Sequence, residues 1–159
     1  MIRDKHGTLD RVDRRIAGFM ARWGTPALRL SLGVIFVWFG ALKPLGISPA
    51  ESLVLATVRW MPLFEPETWL AIIGWWEIVI GVTFLFRATN RIAIALLALQ
   101  MVGTFMPLIL LQNVTYQPGH IPYGLTVEGQ YIVKNLVIIA AALVLGGTVR
   151  HSTPNDSVR

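Results

Sequence analysis

The chain of 159 residues contains no cysteine. Disulfides, thiolate metal sites, iron–sulfur clusters and thiol redox chemistry are therefore excluded for this chain itself. Charged residues are also scarce, since Asp, Glu, Lys and Arg make up 14% of the sequence, against about 25% in an ordinary soluble domain. Because 54% of the residues are hydrophobic, this deficit indicates that the chain folds in lipid.

Histidine and the common catalytic motifs are nearly absent as well. The three histidines, His6, His120 and His151, all lie outside the long apolar runs, so no bis-histidine haem site is expected between helices. The sequence has no P-loop, no GxSxG and no HExxH motif, and no metal site is predicted. The net charge of +5 is explained by membrane orientation, so no nucleic-acid partner is predicted.

Four apolar runs are each long enough to cross a bilayer, for which a helix needs about 20 residues. They cover about residues 26–45, 68–86, 92–111 and 130–149, and polar residues, glycine or proline bound each of them. Lipid offers no hydrogen-bond partner to an open backbone, so the runs are predicted to be helices. The predicted fold is therefore all-α, with a four-helix transmembrane bundle over residues 26–149.

The distribution of Lys and Arg predicts the orientation of this bundle. Basic residues concentrate before residue 26, in the turn that holds Arg87 and Arg91, and in the tail. The two other loops, residues 46–67 and 112–129, contain Arg59 as their only Lys or Arg, together with four glutamates. Both termini are therefore predicted to lie in the cytoplasm, as an even number of spans requires, and the expected location is the inner (plasma) membrane.

The segments outside the spans carry further predictions. In residues 1–25 apolar residues recur at helical spacing opposite Arg and Asp: Leu9, Val12, Ile16, Phe19, Met20 and Trp23. Gly24 is expected to end this helix. A basic amphipathic helix on the anionic inner leaflet is predicted, with a solvated tail as the alternative. A short helix is predicted at the outer interface in the first periplasmic loop, and residues 150–159 are predicted to be a cytoplasmic tail.

Polar side chains inside the spans define the candidate site. Glu77 lies near the bilayer midplane, in a run that is otherwise free of ionisable groups, and four other residues are placed near it by depth and by face: Lys43, Gln100, Lys134 and Asn135. Glycines share the helix faces of Glu77 and Lys43. Small residues let helices approach closely and polar ones hydrogen-bond across the interface, so these faces are predicted to meet inside the bundle.

The cost of a buried charge leads to a prediction about partners. A charge at mid-bilayer costs about 2.5–3.5 kcal/mol on insertion scales, so Glu77 needs a partner or stays protonated. Lys134 is the leading predicted partner and Lys43 the second. Two interpretations stay open: polar groups that only fix the register of the helices, or a site that binds a ligand or an ion.

Three stretches carry a family resemblance: RLSLGVIFVWFGALK in the first span, WWEIVIG in the second and LTVEGQYIVKNLVIIAAALVLGG in the fourth. Together they resemble the DoxX-like superfamily, including its YkgB-type branch, over about residues 27–148. This family consists of small bacterial four-helix membrane proteins, so the resemblance implies that fold. Some members are described as a subunit of a thiosulfate:quinone oxidoreductase or as membrane anchors of redox enzymes, whereas other four-helix relatives act as chaperones or cargo receptors.

The leading functional hypothesis follows from this resemblance. The chain would be a membrane subunit or anchor of a quinone-linked redox complex, in which Lys43 and Lys134 hydrogen-bond a quinone or an oxyanion and Glu77 exchanges a proton. Candidate cofactor contacts are aromatic: Trp38, Trp75 and Trp76. A partner subunit would supply the electrons, so the chain is not expected to be an autonomous enzyme. The alternatives are a scaffolding or chaperone-like protein, which includes a homo-oligomer, and a carrier of small solutes or ions.

Overall fold

The computed structural model describes residues 3–148, with side chains from residue 9 onward. Within this part of the chain four helical stretches are long and apolar enough to cross a membrane: Leu9–Leu42, Pro66–Leu85, Arg87–Leu110 and Val127–Thr148. The prediction of an all-helical, multi-pass membrane protein is therefore confirmed. The predicted tail at residues 150–159 lies outside the described residues.

Eight α-helices follow one another along the described chain, with a 3-10 turn, Arg87–Thr89, before the fourth. Their bounds are α1 Arg3–Leu42, α2 Glu51–Val58, α3 Pro66–Leu85, α4 Asn90–Phe105, α5 Pro107–Leu110, α6 Gln112–Thr115, α7 Val127–Val133 and α8 Asn135–Thr148. The predicted short helix in the first loop is present as α2.

The long helices form a closed ring of contacts: α1 packs on α3, α3 on α4, α4 on α8 and α8 on α1. The two long connections, residues 43–65 and 111–126, lie at one end of this ring, which we call the loop end. The Arg87–Thr89 turn lies at the opposite end, which we call the turn end. Helix α2 packs at the loop end against α3 and α5.

The tightest helix pair is α1 with α3, and glycines are the reason. A Cβ atom added to Gly40 would lie 2.8 Å from the carbonyl oxygen of Gly74, and one added to Gly81 would lie 2.6 Å from the carbonyl oxygen of Gly33. Only residues without a side chain let two backbones approach so closely. The two glycines of each helix are seven residues apart, so they lie on one face, and in the structure these two faces lie against each other.

The apolar core fills the half of the ring nearer to the turn end. It is built from buried side chains of all four spans, and its fully buried members include Ile80 and Phe84 of α3 and Leu145 of α8. On α3 these residues lie C-terminal to Glu77. On α3 the loop side of Glu77 is therefore outside this core, and the candidate site lies there, with Phe36 and Met101 shared by the core and the site.

The predicted end of the N-terminal helix at Gly24 is wrong, because α1 continues through Gly24 and Pro26 to Leu42. A glycine ends a helix when it adopts a positive φ, and in the described chain the glycines with positive φ are Gly46 and Gly119. Pro26 removes one backbone hydrogen bond without stopping the helix here. The apolar stripe from Leu9 to Trp23 is helical and exposed, and its position on a membrane surface stays a prediction.

The third and fourth spans are interrupted where single helices were predicted. Span three breaks at Met106, because Pro107 has no N–H to give to the carbonyl of Gly103, which accepts from Met106 N instead, at 3.2 Å. Span four begins at Val127, earlier than predicted, and breaks at Lys134, between α7 and α8. Both breaks lie in the loop-end half of the molecule, next to the candidate site.

Candidate functional site

Glu77 is the centre of a buried polar cluster that joins three spans. Its Oε2 accepts an ion-paired hydrogen bond from Lys43 Nζ, and its Oε1 accepts from Gln100 Nε2 at 2.9 Å. The Lys43 residue is 8% exposed and the Glu77 side chain 13%. Both carboxylate oxygens therefore have a protein partner, one from α4 and one from the end of α1.

The glycine contact between α1 and α3 explains why Lys43 reaches Glu77. Gly74 is one helical turn from Glu77 and Gly40 one turn from Lys43, and these two glycines touch. A Cβ at Gly74 would lie 2.8 Å from the Cβ of Lys43, so Lys43 starts directly beside α3. Its stem then needs to extend along α3 by only about one turn, roughly 5 Å, to meet the carboxylate.

The prediction that Lys134 is the leading partner of Glu77 is wrong. Lys134 is exposed, and its Nζ lies 5.2 Å from the centre of the Tyr131 ring, in cation–π contact. It lies at the break between α7 and α8, so its side chain follows the outside of the ring rather than the interior. Lys43, the second candidate, forms the pair because α1 and not α8 is pressed against α3.

A cavity of about 560 Å³ lies on the loop side of this cluster, a size usual for small-molecule sites. Lys43, Glu77 and Gln100 form its polar wall, and apolar side chains of α2, of the loop after it and of α3 form one side: Leu53, Val54, Met61, Ile72, Ile73 and Trp76. A mostly apolar chamber with a few convergent polar groups is typical of a site for an amphipathic small molecule.

Asn135 faces the same cavity from the fourth span. Its Nδ2 donates to the carbonyl oxygens of Tyr131 and Ile132, both at 3.0 Å, which occupies the backbone acceptors freed by the break at Lys134. Met106 and Pro107, at the break in span three, also line the cavity. Interrupted helices at membrane depth are tolerated where they are buried in protein or line a cavity, and both interruptions here do so.

The three candidate tryptophans have different positions. Trp76 lines the cavity and packs against the apolar core. Trp38 and Trp75 are 64% and 60% exposed, on the outer surface of the ring, so they do not contact the cluster. Among the described residues no group of three His, Cys, Asp or Glu is placed to hold a metal ion.

Two features of the cavity were not predicted as part of the site. Helix α2 forms one of its walls, although its residues were assigned only to the interface. Trp69 also lines the cavity; its ring meets Phe64 edge-on at 5.3 Å, and its Nε1 is buried without a hydrogen-bond partner in the described part of the chain. The signal for α2 in the sequence was an apolar loop segment of eight residues. It is too short to span the membrane, so its apolar side chains have to pack against another part of the protein.

The chain was also compared with known proteins. No family model, no curated protein and no solved structure matches it. The resemblance to the DoxX-like superfamily therefore stays a prediction, and the function is argued below from the site.

Proposed function

We propose that this protein is a membrane subunit or anchor of a redox complex and that its loop-end cavity binds a quinone. The observation that carries the proposal is the pairing of a largely apolar cavity of about 560 Å³ with a buried Lys43–Glu77–Gln100 cluster on its wall. The apolar ring of a quinone requires an apolar chamber, and each of its carbonyl oxygens requires a hydrogen-bond donor when it is buried there.

The donors that remain in the cluster suit a carbonyl. Lys43 has three N–H groups and uses one on Glu77, and Gln100 has two on Nε2 and likewise uses one. Both carboxylate oxygens are occupied, so Glu77 acts by holding the two donors in place rather than by contacting the ligand first. A bound quinone would supply two-electron, two-proton redox chemistry, and the chain's own residues bind and orient it.

Part of the cavity wall is exposed on the outside of the ring, which supports access of a ligand from the bilayer. Ile72 and Leu99 line the cavity and are 40% and 62% exposed on the flanks of α3 and α4. A ligand dissolved in lipid can therefore reach the chamber without crossing the aqueous phase. The Lys and Arg distribution supports a loop end outside and termini in the cytoplasm, and electrons would come from a partner subunit, since the chain has no cysteine.

Binding of a quinone probe tests this proposal. Purified protein in lipid nanodiscs is titrated with 2-methyl-1,4-naphthoquinone (menadione), and binding is measured by calorimetry. Lys43→Met is expected to weaken binding at least about tenfold, because charge-assisted hydrogen bonds contribute about 1.5–3 kcal/mol. Lys134→Met is the matched control and is expected to bind like wild type, since Lys134 lies on the outside. Wild-type protein that binds no quinone would overturn the proposal.

A second candidate function, a scaffold whose cluster only fixes helix register, is favoured by the close α1–α3 glycine contact. In that case the Lys43–Glu77 pair locks an interface that is already tight. It predicts that Lys43→Met lowers stability while the wild-type protein binds no quinone. The titration above therefore separates the two functions.

A further inference from the structure

We propose that the cavity selects the reduced, hydroxyl-bearing form of its ligand, a hydroquinone, through the amide oxygen of Asn135. This inference rests on the proposed function, because it assumes that a quinone-type molecule enters the cavity. It concerns which oxidation state the walls prefer. The argument uses the hydrogen-bond groups that face the cavity and have no protein partner.

The orientation of the Asn135 amide is fixed by chemistry. Its side chain contacts the carbonyl oxygens of Tyr131 and Ile132, and a carbonyl oxygen only accepts, so the NH₂ group must point to the backbone. The amide oxygen Oδ1 then points away from these carbonyls. No described residue donates to Oδ1, and the residue Asn135 lines the cavity, so the proposal takes Oδ1 as the acceptor that a ligand meets there.

Lys43 and Gln100, which line the same cavity, offer mainly donors. Lys43 Nζ and Gln100 Nε2 each have N–H groups left after pairing with Glu77. The Gln100 amide is oriented in the same way, because the carboxylate oxygen that it meets only accepts. Its own oxygen, Oε1, is therefore a second acceptor among the groups of this residue.

A quinone and a hydroquinone differ in the hydrogen-bond donors and acceptors that they offer to these walls. Each carbonyl of a quinone only accepts, so it bonds well to Lys43 or Gln100 Nε2 but meets Asn135 Oδ1 acceptor to acceptor. Each hydroxyl of a hydroquinone both donates and accepts. It can therefore donate to Asn135 Oδ1 and also accept from Lys43, whereas a quinone can only accept. The wall chemistry favours the reduced ligand.

The size of the preference follows from a single contact. The hydroquinone makes a hydrogen bond to Asn135 Oδ1, whereas the quinone leaves that acceptor facing another acceptor. The hydrogen bond that the hydroquinone gains and the buried acceptor that the quinone leaves unpaired act in the same direction, so the reduced form should bind about tenfold more tightly. Tighter binding of the reduced form raises the midpoint potential of the bound couple. A tenfold preference corresponds to about 30 mV for two electrons.

Anaerobic calorimetry in nanodiscs tests the preference with menadione, with its hydroquinone menadiol, and with menadiol dimethyl ether, which has the same rings but no O–H. The absence of cysteine means that the quinone has no thiol to alkylate and the reductant no disulfide to cleave. Wild-type protein is expected to bind menadiol about tenfold more tightly than menadione, and the dimethyl ether also more weakly than menadiol.

Asn135→Leu should lower the menadiol-to-menadione affinity ratio by at least about threefold. Loss of its bonds to the Tyr131 and Ile132 carbonyls affects both probes alike, so the ratio isolates the contact to the hydroxyl. Asn113→Leu, the same substitution at an exposed position of the short helix α6, should leave the ratio unchanged.

The outcomes separate this inference from the proposed function. Binding of menadione that equals or exceeds that of menadiol, or a ratio unchanged by Asn135→Leu, overturns the selection while the quinone site stands. Absence of binding by all three probes overturns both. If Asn135→Leu does not fold, the wild-type comparison of menadiol with its dimethyl ether decides, since equal affinities contradict a bond from the hydroxyl.

Discussion

At the scale of single residues, Glu77 is an acceptor whose two oxygens are both used inside the protein. Lys43 takes one and Gln100 the other, so the carboxylate joins the end of α1 to the middle of α4 across α3. Such a pair is costly to place in a low-dielectric interior and stabilises only while all partners remain. If one partner is removed, the other stays buried without a partner, and the free energy of unfolding decreases.

Lys43→Met is expected to lower the free energy of unfolding by about 3–5 kcal/mol, because it leaves Glu77 buried without its cation. The double variant Lys43→Met/Glu77→Met is expected to recover most of this loss, since it removes both charges. Lys134→Met is the control, with a change of about 0–1 kcal/mol expected for an exposed cation. Unfolding by SDS titration in mixed micelles measures all three, and an unaltered Lys43→Met variant would contradict the pairing.

At the scale of elements, two devices position the cluster. The glycine contact sets how closely α1 lies to α3, and the breaks at Met106 and Lys134 turn the loop-end parts of spans three and four into cavity wall. A straight third and fourth helix would continue the packed arrangement of the core. Instead Pro107 and Asn135 line an open chamber, and the Asn135 side chain supplies the hydrogen bonds that the interrupted backbone lost.

The glycine contact predicts a contrast between two Gly→Ala substitutions. Gly81→Ala places a methyl group 2.6 Å from the carbonyl oxygen of Gly33, so α1 must move, and a loss of about 1–3 kcal/mol is expected from overpacking. At Gly103 an added Cβ meets nothing within 4 Å. Gly103→Ala is therefore expected to be neutral or to stabilise α4 by up to about 1 kcal/mol, since alanine is the better helix former.

The same SDS titration measures this contrast. Equal stability losses in both variants would mean that the α1–α3 approach is looser than described. A loss in Gly81→Ala alone supports the close contact, and a menadione titration of that variant would then show whether the approach also holds the quinone site.

At the scale of the whole molecule, the ring is divided into a packed half and an open half. The core near the turn end holds the four spans together, while the loop-end half carries the cavity, the cluster and α2. Basic residues concentrate toward the turn end and the termini, whereas the loop end holds Lys43, Arg59 and Lys134 among its glutamates. This asymmetry predicts which side of the membrane the cavity faces.

The orientation can be measured with single cysteines, since the chain has none of its own. Tyr123→Cys replaces a residue that is 76% exposed at the loop end, and Ala88→Cys lies in the basic turn. In intact spheroplasts a membrane-impermeant maleimide is expected to label position 123 and not position 88, because Arg87 and Arg91 hold that turn in the cytoplasm. The reverse pattern would invert the predicted topology and place the cavity toward the cytoplasm.

Several features were readable from the sequence because they depend on local properties of the chain. Run length and composition predict the four spans, since a bilayer of fixed thickness requires about 20 apolar residues per helix. Glycines and polar residues at helical spacing predict which faces meet, because the period of 3.6 residues places them on one stripe. Glu77 stands out because it is the one acid in an otherwise apolar run.

The tertiary structure alone decided which groups meet. Lys43 and Lys134 lie at similar depth in the sequence-based picture, and only the close α1–α3 approach shows that Lys43 reaches Glu77. The break at Lys134 and the cavity wall formed by α2 depend likewise on contacts between distant segments. Depth and face are set along one helix, but neighbours are set by which helices pack together, and that choice is made by all spans at once.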